Sequence, residues 1–312
     1  MRISKYADTT VFRLNLRGGA GPVDPDLPED SKPGVQYRRL FKGDPDRPGN
    51  FEMVVLRSPR DDASIHFPRH RHDFDQVRLT LAGNPAWAPR REVPPGSVVY
   101  TAAGTFYGPY DRFADEEQLH IQFEGANHAR FLDYDTLADA RRRMSRDGRF
   151  ERGIYITADA DGHETKTDAH QAVMEFLTGR PMEYPKSRYT DSVQIDPGLF
   201  AWDDAGPGAR TKQLGSFTEC LTTLWTVQIE PGAEYAFPPS PQTRLVFVQD
   251  GTGTAEGREI GRWDGLLLAP GETGVVKGGS TLTLFAVTLP KTGDQITQTT
   301  QTTQTTQEAD AA

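Results

Sequence analysis

The stretch "FPRHRHDFDQVRLTLAG", residues 67–83, sets two imidazoles, His70 and His72, ahead of a run in which polar and apolar residues alternate. Alternation with period two marks a strand with one wet face and one apolar face. It puts Gln76, Arg78 and Thr80 on one side and Val77, Leu79 and Leu81 on the other. The segment "EEQLHIQFEG" repeats the pattern, with Leu119, Ile121 and Phe123 on one face and Gln118, His120 and Gln122 opposite. An ordinary sheet with a solvated outer side explains either strand alone. The spacing of the flanking residues decides between a solvated face and a lined cavity.

Outward from this stretch, short β-branched and aromatic runs punctuated by Gly and Pro fill two regions, "VQYRRLF" to "QLHIQFEG" and "TTLWTVQIE" to "TLTLFAVTLP". That rhythm predicts all-β sandwiches or barrels. Between them, "YDTLADARRRMSRDG" and "KTDAHQAVMEFLTGR" carry helix-period apolar residues with glycine just beyond their ends, which predicts two helices. The C-terminal "TQTTQTTQTTQEADAA" is polar, repetitive and has nothing to bury, so disorder is expected over 291–312.

Two spaced frames sharpen the picture. The first runs Ser64, five residues, His70-x-His72, three residues, Gln76, six residues, Gly83; the second runs Gly96, Ala102, Gly104, Tyr107. These resemble the two motifs of the cupins, with Ser64 in place of a glycine, Gln76 in place of a glutamate and Tyr107 in place of a histidine. The first-motif frame falls again on Gly232, Pro238, Ser240, Arg244 and Gly251, where every ligand position is lost. "GRFERGIYIT" and "GRPMEYPKSRY" also resemble segments of uncharacterised bacterial two-cupin proteins. The resemblance implies an all-β chain of tandem cupin (jelly-roll β-barrel) domains joined by a partly helical linker. The boundaries are a barrel over 1–130 with the candidate site, a linker over 131–205, a degenerate barrel over 206–290 and the tail.

In a cupin barrel the motif residues project inward, so the resemblance turns the polar strand faces into a cavity lining. Neutral imidazoles projecting alike chelate one divalent first-row metal. The expected ligands are His70, His72 and His120, the last by strand parity, with Gln76 as a weaker neutral donor. Fe(II) is the preferred ion, with Ni, Mn or Zn as alternatives. Tyr107 and Arg78 are the expected catalytic groups, the tyrosine giving a proton or hydrogen bond and the guanidinium holding an anion; Arg78, Thr80, Gln122 and Phe106 are the expected substrate contacts. His66 reads as a rim residue, and His128, His163 and His170 as surface residues. Trp87, Tyr110 and Phe106 line the mouth or plug the barrel.

The function this implies is a metal-dependent oxygenase acting on a small anionic or enolisable substrate. A decarboxylase would use much the same parts. A metal-free isomerase, epimerase or cyclase, or a non-enzymatic small-molecule binding protein, are the other readings. The second barrel is expected to bind no catalytic metal and to cover its neighbour's apolar flank or form a homodimer, because Val246 and Val248 would otherwise expose an apolar strand face.

Composition excludes other classes. Thirty-five basic against 44 acidic residues leave a formal charge of -9, which argues against nucleic acid or an anionic membrane as partner. The single cysteine, Cys220, rules out an intramolecular disulfide and points to a reduced cytoplasm. No run approaches the roughly 20 apolar residues that span a bilayer.

Overall fold

The computed structural model describes residues 1–14, 35–44, 47–58, 65–112, 115–124, 131–217 and 222–290. Ser64, His128, Cys220 and the tail 291–312 lie outside the described residues.

The chain opens with β1 (Arg2–Ser4), β2 (Val11–Leu14), β3 (Val35–Lys42), β4 (Phe51–Arg57), β5 (Ile65–Phe67), β6 (Asp75–Ala82), β7 (Val98–Thr101), β8 (Tyr110–Arg112) and β9 (Glu117–Phe123). Next come α1 (Tyr134–Met144), the strands β10 (Arg149–Glu151), β11 (Ile154–Ala158) and β12 (Glu164–Asp168), α2 (Ala169–Thr178) and β13 (Val193–Ile195). A second β region follows: β14 (Asp203–Asp204), β15 (Ala209–Phe217), β16 (Thr222–Ile229), β17 (Glu234–Phe237), β18 (Arg244–Asp250), β19 (Thr252–Ala255), β20 (Arg258–Gly261), β21 (Gly265–Leu268), β22 (Gly274–Gly278) and β23 (Leu282–Thr288).

Each region forms a large sheet with a smaller one. The first has the seven-stranded order β13-β7-β6-β9-β4-β3-β2 and the pair β5-β8; the second has β1-β21-β18-β23-β16-β15-β14 and the four-stranded β17-β22-β19-β20. This is the all-β tandem barrel architecture expected from the frames. The boundaries differ from the sequence reading at two places. β1, placed in the first barrel, pairs with β21 of the second, and β13, placed in the linker, pairs with β7 of the first. Such short segments carry no pattern that tells which of two sheet edges they cover.

The two large sheets face each other. Val77, Leu79, Leu119, Ile121 and Phe123 of the first sheet share one buried cluster with Leu224, Leu245, Phe247, Phe285 and Val287 of the second. The apolar stripe of the opening stretch is therefore buried against the second barrel, and the polar side of β6 is the barrel interior. Val246 and Val248 are not an exposed face: they sit in the second barrel's own core with Val227, Leu266, Leu284 and Ala286. β18 is apolar on both sides because both are covered, as for a strand buried on two faces. The surface that argued for a dimer is thus internal.

The frame glycines persist for a backbone reason. Gly83 and Gly104 have φ of +71° and +78°, and a Cβ on Gly104 would stand 2.2 Å from the Pro185 carbonyl oxygen. Side chains are excluded there whatever becomes of the neighbouring ligand positions.

Candidate metal and substrate site

Strand pairing builds the floor of the site. β6 and β9 run antiparallel with Gln76 opposite Gln122, Arg78 opposite His120 and Thr80 opposite Gln118, so the two polar faces form one lattice inside the first barrel. The two frames meet through the backbone, where the His70 and Tyr107 amides each donate to the other's carbonyl, at 3.0 and 2.9 Å. These pairings place His70, His72, Gln76, Tyr107, His120 and Gln122 around a cavity of about 150 Å³.

Its roof comes from the linker. Tyr134 and Leu137 of α1 and His170 of α2 close the mouth. α1 is held there at its N-terminus: Asp133 caps the Asp135 and Thr136 amides and takes Lys42 Nζ at 2.9 Å, while Arg39 bridges Glu52 and Asp135. Glu52 is fully buried, and burial pushes its carboxyl up to about 7 against the opposing pull of Arg39.

His170, read from the sequence as a surface residue, is a cavity residue with 13% of its side chain exposed. Its ring centroid lies 4.8 Å from that of His72, which in turn lies 5.2 Å from His70. A second cavity of about 120 Å³, which Asp168 and Arg141 also line, shares these three imidazoles, so the trio forms a partition between an inner and an outer chamber. His170 Nε2 lies 3.2 Å from the Asp73 carboxylate. His70 Nδ1 donates to the Pro68 carbonyl at 2.6 Å, which leaves its Nε2 lone pair free. Burial drives the His70 and His72 pKa values down, with the Arg78 charge acting the same way and, at His70, the Pro68 hydrogen bond and the Asp168 charge opposing it, so both rings are neutral at pH 7.

His120 has different company. Its Nε2 stands 3.4 Å from Arg112 Nη2 and 3.3 Å from Gln118 Oε1, and its Nδ1 meets no partner. Burial and the Arg112 charge lower its pKa. A guanidinium at a donor nitrogen opposes a second cation there. Gln76 is also engaged, its Oε1 accepting from Gln122 Nε2 at 2.6 Å. Gln76 lies in hydrogen-bonding reach of the Tyr107 hydroxyl, which is 3.3 Å from His72 Nδ1, so a polar chain runs Gln122, Gln76, Tyr107, His72. Tyr107 is buried, and that burial holds its pKa well above the ordinary phenol value. It is a hydrogen-bond donor at neutral pH, not a phenolate.

Two buried guanidiniums complete the electrostatics. Arg78 is 2% exposed; its charge lies 5.0 Å from the Tyr107 ring and 5.9 Å from that of Tyr110, and its Nε and Nη2 meet no acceptor. Arg112, which the sequence reading passed over, is 4% exposed, donates to Gln118 and leaves Nε unsatisfied. Among the described residues no Asp or Glu lines the inner cavity. Thr80 is buried beneath with Oγ1 unpaired. Phe106 points away, 36% exposed with Arg69 and Arg71 over its ring, because its neighbour Tyr107 takes the inward direction. Trp87 packs behind Tyr107, and Tyr110 of the same apolar cluster lines the cavity.

Three imidazoles on one ion at about 2.1 Å set ring centroids roughly 4.5–5.2 Å apart, and the His70–His72 and His72–His170 spacings match that. The nitrogen atoms themselves are spread wider. Among the described residues, the group of three donors lying within 4.8 Å of one another is Asp159, Asp161 and His163, all exposed. That group is a turn in which Asp159 Oδ1 accepts from the Asp161 and His163 amides. Donor type and these two ring spacings suit a metal at His70, His72 and His170, while the wider spread of their nitrogens means the rings must turn inward to share one ion.

No protein-family model and no curated protein sequence matches the chain. Solved structures do. A Nostoc punctiforme protein provisionally classed as a dioxygenase superposes with a TM-score of 0.55 at 12% identity, over 92% of this chain and 81% of that one. Lactobacillus farciminis oxalate decarboxylase, in a formate complex, gives 0.52 at 9% identity over 93% and 86%. Streptomyces albus HEPD, with 2-hydroxyethylphosphonate and Fe(II) bound, gives 0.50 at 11% identity over 94% and 79%. The chain has the two-cupin fold. At these identities the likeness establishes the two-cupin architecture, and the chemistry rests on the residues above. No helix among the described residues is long and apolar enough to cross a membrane.

Proposed function

We propose that the first barrel is a metal-dependent enzyme site for a small organic anion, an oxygenase in the reading to be tested first. One observation carries it: two buried, carboxylate-free guanidiniums, Arg78 and Arg112, flank a cavity lined by four imidazoles and, among the described residues, by no Asp or Glu. Burying such charges without a counterion is costly, so the cavity is built for a ligand that brings one. A space of about 150 Å³ takes a molecule of roughly six non-hydrogen atoms, the size of benzene.

In this reading His70, His72 and His170 hold one divalent first-row ion. His170 replaces His120 in the ligand set, and Gln76 supports Tyr107 in place of coordinating. Bound Fe(II), Mn(II) or Ni(II) would supply Lewis-acid activation of the substrate and one-electron chemistry; Zn(II), which has no redox chemistry, would supply the first only. Arg112 holds the substrate carboxylate or enolate, Arg78 adds field from below, and Tyr107 donates a hydrogen bond as negative charge develops. Gln122 and Gln76 keep that hydroxyl aimed. Tyr134, Leu137 and His170 of the α1–α2 roof narrow the mouth and limit the access of water. That two structures of the same fold hold formate and a hydroxyphosphonate, both small anions, supports the substrate class.

A metal-free isomerase or cyclase is favoured by one contact, the 3.3 Å approach of the Tyr107 hydroxyl to His72, which is an acid–base pair by itself. Elemental analysis of protein purified without chelator separates the two. Metal retained on dialysis and lost in the H70A/H72A double variant supports the first reading. Metal-free protein that does not bind added Fe(II), Mn(II) or Ni(II) refutes it.

A further inference from the structure

The second barrel keeps a mouth of its own. Its deep half is filled by aliphatic side chains, but above Val246 and Val248 the same inward face of β18 ends in Arg244, and a cavity of about 540 Å³ opens over it. Arg244 stands where the first-barrel frame has Gln76, and Pro238 and Ser240 stand where it has His70 and His72. A fixed positive side chain thus occupies a place the frame gives to a metal ligand.

The arginine is unspent. It is 6% exposed, and its Nη1 is buried without an acceptor. Among the described residues no Asp or Glu lines the cavity, and the ionisable group felt beside Arg244 is the Tyr235 phenol. A surface arginine would turn to water; this one is held by β18 between β21 and β23, with Leu268 and Thr288 as its register partners. The walls divide by chemistry. Trp225 and Tyr235, within hydrogen-bonding reach of each other, give aromatic faces, and Phe237 and Pro238 extend them. Thr223, Thr288 and Ser240 supply hydroxyls; Ser240 Oγ already accepts from the Gln242 amide, so its proton is free to donate.

We infer that the mouth of the second barrel binds a small organic anion with a planar apolar body, an aromatic carboxylate, through Arg244. The guanidinium offers paired N–H donors to a carboxylate, the hydroxyls complete its oxygens, and the ring lies along Trp225 and Tyr235. No metal is needed, because the arginine supplies the cation. The site is separate from the first barrel and does not depend on the reading given there.

Benzoate and its neutral isostere benzamide are the probes, titrated calorimetrically and by tryptophan fluorescence into the full chain, alongside R244Q and H70A/H72A. Saturable benzoate binding is expected, weaker by about tenfold or more for R244Q, the loss of a charge-assisted hydrogen bond, and unchanged for H70A/H72A. Benzamide should bind at least about tenfold more weakly than benzoate for the same reason. Equal affinity for the two probes, R244Q binding benzoate as the parent does, or no saturable binding overturns the inference. The benzamide comparison stands on the unmodified chain, so the test survives if R244Q does not fold.

Discussion

Replacing Arg78 by methionine tests whether this side chain serves the fold or the ligand. Its Nε and Nη2 are buried without acceptors, and its company is the rings of Tyr107 and Tyr110. Two unsatisfied donors cost about 1–3 kcal/mol each, whereas two desolvated cation–π contacts return roughly 0.5–2 kcal/mol each. Methionine removes both terms and keeps the apolar stem. The ligand-free protein should then lie between about 2 kcal/mol less and about 5 kcal/mol more stable than the parent, the limits of those two ranges. Breaking a buried ion pair would instead cost about 3–5 kcal/mol. Urea unfolding followed by tryptophan fluorescence reads the difference. The same variant should bind oxalate, an anion of the right size, up to about tenfold more weakly, the loss of a charge that acts through the cavity wall and not of a direct hydrogen bond. R78M that is destabilised by more than about 3 kcal/mol, the signature of a broken pair, or that binds oxalate undiminished, would refute the reasoning.

Three further outcomes follow from the site. H170A should lose metal on dialysis while H120A keeps it, as read by atomic absorption; the reverse result returns His120 to the ligand set. L137W sets an indole into a cavity of about 150 Å³ and should abolish oxalate binding without changing metal content, a calorimetric test of the α1 roof. The stability profile should show two opposed proton linkages. His70 and His72 have depressed pKa values, so the unfolded chain takes up protons first and stability falls as pH drops below about 6.5. Burial raises Asp75 to about 6 and Glu52 to about 7, so these carboxyls cost stability as pH rises through the same range. D75N keeps an acceptor for the Ala103 amide and removes one carboxyl. Urea midpoints between pH 4.5 and 7 should therefore climb more steeply with pH in D75N than in the parent; parallel profiles would show that Asp75 ionises freely.

How far the sequence reached depends on range. The faces of β6 and β9 were legible because strand alternation has a period of two and both stretches keep it from Gln76 to Thr80 and from Gln118 to Phe123, with a register shift only beyond Thr80. Phe106 was misplaced by its aromatic character, although its adjacency to Tyr107 already implied the outward direction. His170 reads as a surface residue because it lies far along the chain from both frames, well past His72 and Tyr107, yet a local signal existed. It precedes Val173 and Met174 by three and four residues, both buried, so helix periodicity sets it on the covered face of α2. Arg112 carried no such signal. β8 is three residues long, too short for a period, and only its pairing with β5 fixes which way the side chain turns.

The partition of apolar residues explains why the first barrel tolerates so polar an interior. The second barrel fills its lumen with Val227, Val246, Val248, Leu266 and Leu284. The first barrel's large sheet instead buries its outer face against Leu224, Leu245, Phe247 and Phe285 of the second. Each buried side chain of that size contributes about 1.5–3 kcal/mol, so the interface supplies apolar burial that the lumen does not. Both barrels share that burial, and in the first it stands beside a lumen whose inward positions on β6 and β9 hold His, Gln and Arg with several groups unsatisfied. The second barrel is in this sense part of the first barrel's site, and the two would not be separable at 205 without exposing Val77, Leu79 and Ile121 to water.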